Sequence, residues 1–236
     1  MRPTPARPYN SCRMALLIWA LAVKAVELAV QGLRQQGMES CLQVVEEDII
    51  LEQRRNSLSR TGAELLVAGE LSPAETLRLL GLLELGVDLE IIGDHAESIA
   101  KNCAMLGQKP IVETLVGLHE MTHQATRVLR RSLTALAQSD AKLAYRALHG
   151  SSEQDCVYIK VYQELMNCIF QDEGSVQRAN HLVWVAHDLQ LITDRATRIT
   201  RRVITLISGA ELVNSETADR RQDWQNNLLD AWLESA

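Results

Sequence analysis

Residues Asp88 to Cys103 read DLEIIGDHAESIAKNC, and a second stretch, Asp188 to Ile204, reads DLQLITDRATRITRRVI. Aligned, Asp88/Asp188, Leu89/Leu189, Ile92/Ile192, Asp94/Asp194, Ala96/Ala196 and Ile99/Ile199 coincide, so the chain carries an internal repeat. Within the first copy Ile92, Ala96, Ile99 and Cys103 recur at helical spacing and define one apolar face. A duplicated amphipathic helix must bury that face against other helices, which favours two similar helical units in 236 residues. Three of the five prolines, Pro3, Pro5 and Pro8, lie in the first ten residues; only Pro73 and Pro110 interrupt the rest. Such long proline-free runs with helical periodicity predict an all-α protein.

The first copy carries acids as well as an apolar face. Glu90 and Asp94 stand four apart and stack on one side of the helix, with Glu97 and Lys101 continuing that side roughly opposite the apolar stripe. Gly93, in the middle of the helix, costs about 1 kcal/mol relative to Ala. That cost suggests that another backbone or a ligand comes close. Upstream, Asp48 and Glu52 are also four apart. If their helix lies antiparallel beside the first copy, four carboxylates from two helices face one another. Helical proteins hold hard or borderline cations such as iron, manganese or magnesium with such sets. The competing reading is a solvated acidic face. In the second copy Gln190, Thr193 and Arg195 replace Glu90, Gly93 and His95.

The remaining chain divides around these helices. Residues 1–10 are proline-rich and read as disordered. Met14 to Val23 is the most apolar run; it is too short to span a bilayer. Its basic start and Ala20-Leu21-Ala22 resemble a signal peptide, but periodicity continues through Leu17, Leu21, Val26, Leu28 and Leu33, which predicts a first helix over 12–36. A second helix is expected over 39–68, with Leu42, Val45, Ile49, Leu58 and Leu65 inward. Ser72, Pro73 and Glu75 form a capping signature for a third, ending near 106. Helices over 111–138, 140–172 and 176–208 repeat the plan. The expected organisation is two tandem three-helix bundles, 11–108 and 109–209, each with its own core. Residues 210–236 form a tail, with Trp224, Leu228 and Trp232 at helical spacing. Trp19 and Trp184 read as core residues.

A net charge of −6 disfavours nucleic-acid binding. Arg195, Arg198, Arg201 and Arg202 read as a solvated basic face, with a docking surface for an acidic partner as the alternative. Five cysteines without CxxC spacing fit free thiols in a reducing compartment. His119-Glu120-Met121-Thr122-His123 is literally H-E-x-x-H, the zinc-hydrolase spacing, but no recognisable third ligand follows, and two surface histidines is the plainer reading.

Asp88 to Ala100 resembles the D-L-E-R-I-G-D-H-A-x-N-I-A signature of the PhoU family of phosphate-signalling proteins. Pro73 to Arg78 resembles its P-x-A-x-D-L-R, with Thr76 where Asp is usual. Val45 to Glu52 is similar to its helix-2 pattern, and Leu189 onward to the weaker repeat copy. The resemblance covers about 12–208. It implies a cytoplasmic, often dimeric, non-catalytic adaptor that restrains the phosphate-starvation response. The implied partners are the ATPase subunit of the phosphate ABC transporter and the membrane sensor histidine kinase, with membrane association only through those partners. It also implies a surface metal cluster, iron foremost and zinc or another divalent ion next, at Asp48, Glu52, Glu90 and Asp94. Asp88, Asp155 and Asp194 are weaker candidates, the last two because Ile159 and Gln190 stand where a second acid would in the second half. Ile91 stands where the family has Arg, so a contact made by that Arg is absent. A zinc metalloenzyme using the 119–123 motif and a helical metal-binding scaffold are the alternatives.

Overall fold

The computed structural model describes residues 6–35, 38–106, 115–149, 154–171 and 176–208, and among these it contains helices and no strand. The helices are α1 (Ala6–Gln35), α2 (Met38–Ala68), α3 (Pro73–Leu106), α4 (Leu115–Gln138), α5 (Ala141–His149), α6 (Gln154–Gln171) and α7 (Val176–Ser208). In the first half α1, α2 and α3 pack on one another; in the second, α4, α5 and α6 pack on α7. The duplicated all-α architecture is the expected one.

The caps explain where the helices stop. Gly69 takes a φ of +65°, and its N–H donates to the carbonyl of Leu66, turning the chain after α2. Ser72 then opens α3 with a reciprocal capping box. Its Oγ accepts from the Glu75 N–H at 3.3 Å, and Glu75 Oε2 accepts from the Ser72 N–H at 2.9 Å. The Ser72 hydroxyl also donates to Glu75 Oε2 at 2.7 Å, and this bond foremost, with that from the Ser72 N–H, holds the Glu75 carboxyl below its ordinary range. Asp140 caps α5 by accepting from the Leu143 N–H at 3.0 Å.

Several expectations are corrected. Helix α1 starts at Ala6, so residues 6–10 are its first turns and not a disordered arm. Of the single helix expected over 140–172, the described residues give two segments, α5 and α6, and 150–153 between them lie outside the described residues. The separate cores are one: a contiguous apolar cluster runs from Ala15, Trp19 and Val26 through Leu89 and Ile92 to Leu189, Ile192 and Val203. It is continuous because α3 packs on α7 and α1 on α4. On α2 the buried stripe is Cys41, Val44, Leu51, Leu58 and Leu65, whereas Leu42 and Ile49 are exposed and Val45 is half-buried. On α1, Leu17 is likewise exposed and the buried residues include Ile18, Trp19, Ala22 and Val26. Trp19 is fully buried as expected, but Trp184 is 54% exposed, edge-on to His187. Ser11–Leu33 is in fact long and apolar enough to cross a membrane; here half of that window is buried inside the bundle. The expected tail helix around Trp224, Leu228 and Trp232 lies outside the described residues.

The join between the halves has a local two-fold pattern. Helices α3 and α7 run antiparallel, since Asp88 meets Arg195 and Asn102 meets His181. His95 Nδ1 lies 3.0 Å from Asp188 Oδ1, and Arg195 Nη1 donates to Asp88 Oδ1 at 3.0 Å. These two pairs are the same positions of the repeat, exchanged. Arg202 adds Nη2 at 3.3 Å from Asp88 Oδ2 and a second contact to Glu84. The basic cluster is therefore divided: Arg195 and Arg202 serve this seam, and Arg198 faces solvent.

Candidate functional site

The α2–α3 hairpin brings the predicted acids together. The helices lie antiparallel, with Gly86 of α3 against Leu58 and Gly93 against Asp48 and Leu51. A Cβ at Gly93 would stand only 2.7 Å from Asp48 Oδ1 and 3.1 Å from Leu51 Cδ1. The mid-helix glycine thus answers a close approach, as its cost suggested, and what it admits is a carboxylate of the neighbouring helix. Without a side chain at 93, Asp48 lodges against the α3 backbone.

Around Asp48 stand Asp94, Glu97, Glu52 and Glu90. Burial is the largest influence on the Asp48 carboxyl, and the four neighbouring acids add to it, raising it from 3.8 to about 6. Burial and the same acids also raise Asp94, with His95 acting in the opposite direction. The cluster includes cations. Arg55 donates to Glu90 Oε1, and Lys101 pairs with Glu97 one turn away. Asp94 and Glu52 are exposed, while Asp48, Glu90 and Glu97 are half-buried. Five carboxylates against two cations leave this face acidic, with oxygen donors only.

Asp48, Glu52, Glu90 and Asp94 therefore share one face of the hairpin. The weaker candidates do not join them. Asp88 is 4% exposed and held by Arg195 and Arg202, because positions 88, 92, 95 and 99 form the stripe that faces α7. Asp194 lies exposed on α7, and the side chain of Asp155 lies outside the described residues. Two participants escaped the sequence reading. Arg55 continues the Asp48–Glu52 face by one further turn, a spacing that was available. Glu97 was placed on the ridge but not in the site. The seam pairs were also legible, because an antiparallel repeat sets 88 opposite 195 and 95 opposite 188.

The donor chemistry fits a hard, oxygen-liganded cation, and the raised Asp48 carboxyl marks negative charge that a cation would relieve. Among the described residues no three His, Cys, Asp or Glu side chains are already drawn to metal-ligand spacing, and Glu90 is paired with Arg55. The H-E-x-x-H motif lies on α4 with His119, Glu120 and His123 exposed. Both histidines line an open groove of about 420 Å³ with Glu27, Gln31 and Thr126. The acid opposite them is engaged: both Glu27 oxygens accept from Arg130, at 2.6 and 2.7 Å. The groove holds no completed zinc ligand set among the described residues.

Fold and site define a class: a duplicated helical bundle whose second and third helices present converging carboxylates. Comparison with known proteins gives the family. The sequence profile of the PhoU domain matches twice, over residues 18–103 and 118–203, and the chain belongs to the PhoU family. It is 25% identical over 194 residues to a phosphate-specific transport system accessory protein PhoU homolog of Xylella fastidiosa, covering 82% of this chain and 81% of that one. It is 26% identical over 200 residues to the protein of the same name from Pseudomonas putida, covering 84% and 77%. The crystal structure of PhoU from Pseudomonas aeruginosa superposes with a TM-score of 0.81 at 24% identity, over 87% of this chain and 99% of that one. The phosphate transport system regulatory protein PhoU from Streptococcus pneumoniae gives a TM-score of 0.79 at 21% identity, over 88% and 97%.

Proposed function

We propose that this chain is an accessory regulator of phosphate uptake that restrains the phosphate-starvation response. It acts in the cytoplasm, as a homodimer, and reaches the membrane only through partners. It serves as an adaptor between the ATPase subunit of the phosphate ABC transporter and the sensor histidine kinase, and it catalyses no reaction itself. The observation that supports this most strongly is the PhoU-domain match in each half, together with relatives named as accessory proteins of phosphate-specific transport. The acidic α2–α3 face is the recognition surface in this reading. A rigid seam at α3–α7 keeps it in one orientation, as suits a docking protein.

The test is copurification of the tagged full chain with its membrane partners from cells grown in high and low phosphate. The reading expects the transporter ATPase and the kinase to come down together in high phosphate, and a deletion strain to express its starvation genes constitutively. A deletion strain that still represses those genes in high phosphate overturns it.

The same face binds a metal in this proposal. Asp48, Glu52, Glu90 and Asp94 hold an oxygen-liganded cation, iron foremost, with zinc or another divalent ion as the competitor. Elemental analysis after metal-free purification and reloading reads this directly. Less than about a tenth of an equivalent per chain leaves these residues as plain surface acids.

A further inference from the structure

Two thiols meet at the end of the first bundle. Cys41 lies in the first turn of α2 and Cys103 in the last turn of α3. Both sulfurs rest on one turn of α1. A Cβ at Gly32 would stand 2.8 Å from Cys41 Sγ, and Cys103 Sγ lies 3.8 Å from the carbonyl of Ala29, to which it donates. The two thiols stand within hydrogen-bonding reach of each other, so the single Cys103 proton can turn to the Ala29 carbonyl or to Cys41 Sγ. Cys41 is buried, Cys103 is half-buried, and both are free.

This placement differs from two cysteines that merely fill a core. Gly32 clears the space that Cys41 Sγ occupies; any larger residue there would push the sulfur away. When the Cys103 proton turns from the Ala29 carbonyl to Cys41, it lowers the Cys41 thiol from 9.0 to about 7, against the opposing effect of its burial, while Cys103, as donor, is raised. The first turn of a helix, with its unpaired N–H groups, further favours a thiolate at Cys41. One sulfur is thereby readied as a nucleophile and the other stands beside it as its partner.

We propose that Cys41 and Cys103 are a peroxide-reactive pair that closes to a disulfide joining the start of α2 to the end of α3. The Cys41 thiolate attacks one oxygen of hydrogen peroxide, the O–O bond breaks, and the departing hydroxide takes up a proton to leave as water. Cys41 is then a sulfenic acid. The Cys103 sulfur gives up its proton and attacks Cys41 Sγ; the S–O bond breaks and a second water leaves. Two thiols lose two electrons and two protons, and one peroxide becomes two waters. A dithiol reductant restores the pair.

The experiment oxidises the reduced, full-length chain with a small excess of hydrogen peroxide. Intact mass should fall by about 2 Da, and peptide mapping should join the Cys41 peptide to the Cys103 peptide. Cys12 should lose its thiol about tenfold more slowly than Cys41. In Cys103→Ser, Cys41 should stop at a sulfenic acid that dimedone captures. In Cys41→Ser, the rapid loss of thiol should vanish. Joined peptides that pair other cysteines, an unchanged mass, or Cys103 reacting as fast in Cys41→Ser as in the parent chain would each overturn the proposal. The mapping on the parent chain decides the matter even where a variant fails to fold.

Discussion

Glu90, Gly93 and His95 occupy in α3 the positions that Gln190, Thr193 and Arg195 occupy in α7, while Asp88, Ile92 and Ile99 are matched by Asp188, Ile192 and Ile199. The stripe that faces the other copy stayed the same in type, the basic His95 being answered by the basic Arg195. Of the positions that turn to α2 or to solvent in α3, Glu90 and Gly93 did not, although Asp94 is kept as Asp194. At the seam the two copies must satisfy each other, and a buried carboxylate without a cation is costly there. Away from the seam that constraint lapses, and among the described residues the first copy is the one that collects acids. The duplication thus builds one scaffold and one specialised face.

The seam is not fully symmetric, and this yields the largest effect. Asp88 answers two guanidiniums, whereas Asp188 answers one imidazole. A guanidinium cannot shed its charge, but an imidazole left alone can stand as the neutral base. Asp88→Ala should therefore cost about 3 kcal/mol, the low end for a broken buried pair because Arg195 and Arg202 keep an edge in water. Asp188→Ala should cost about 1 kcal/mol, the scale of one hydrogen bond. Urea unfolding of both variants at neutral pH reads the difference, and equal losses would erase the asymmetry.

Much of this was legible in the chain, and what was not has identifiable causes. The repeat, the α3 face and the capping box at Ser72 rest on local spacing, which survives folding. On α2 Leu58 and Leu65 are buried as expected, and the first half of its face departs because two seven-residue series compete. Leu42 and Ile49 continue to the polar Asn56, whereas Val44, Leu51, Leu58 and Leu65 stay apolar at four positions and are the buried ones. Trp184 reads as a core residue, yet it stands at the repeat position of Glu84, which is exposed. The single shared core could not be read from the stripes. Periodicity says which side of a helix is buried and not which helix buries it. The acid cluster was foreseen only conditionally, because it depends on how α2 lies against α3.

That approach suggests the next test, of middle size. Gly93→Thr writes the residue of the second copy into the first. Its Cβ would press on Asp48 Oδ1 and Leu51 Cδ1, and a β-branched residue brings little helix propensity to offset the crowding. Overpacking of this kind costs about 2 kcal/mol, and it should dislodge Asp48 from the α3 backbone. Denaturant unfolding together with the carboxyl NMR shift of Asp48 would register both effects. A neutral or stabilising substitution would mean that α2 stands off from α3, and that the two copies differ less than they seem.

The smallest effect concerns what the specialised face does to stability. Asp48 titrates at about 6 in the fold against an ordinary 3.8. Between those values the folded chain holds more protons than the unfolded one, so stability declines as pH rises from about 4 to 6 and stays reduced above. Fully converted, the shift would be worth about 3 kcal/mol; screening by water at this half-exposed site reduces it to about 1 kcal/mol. Asp48→Asn should therefore stabilise the metal-free chain by about that amount at pH 7 and leave it nearly unchanged at pH 4, where the carboxyl is protonated in the fold and only partly ionised in the unfolded chain. A cation that binds the cluster should give the parent chain the same gain and should help Asp48→Asn less, since one ligand charge is gone. Urea midpoints at the two pH values, with and without added iron or zinc, separate these cases. Loss of stability in Asp48→Asn at pH 7 without metal would show that Arg55 already balances the acids, leaving the α2–α3 face as quiet electrostatically as its counterpart on α7.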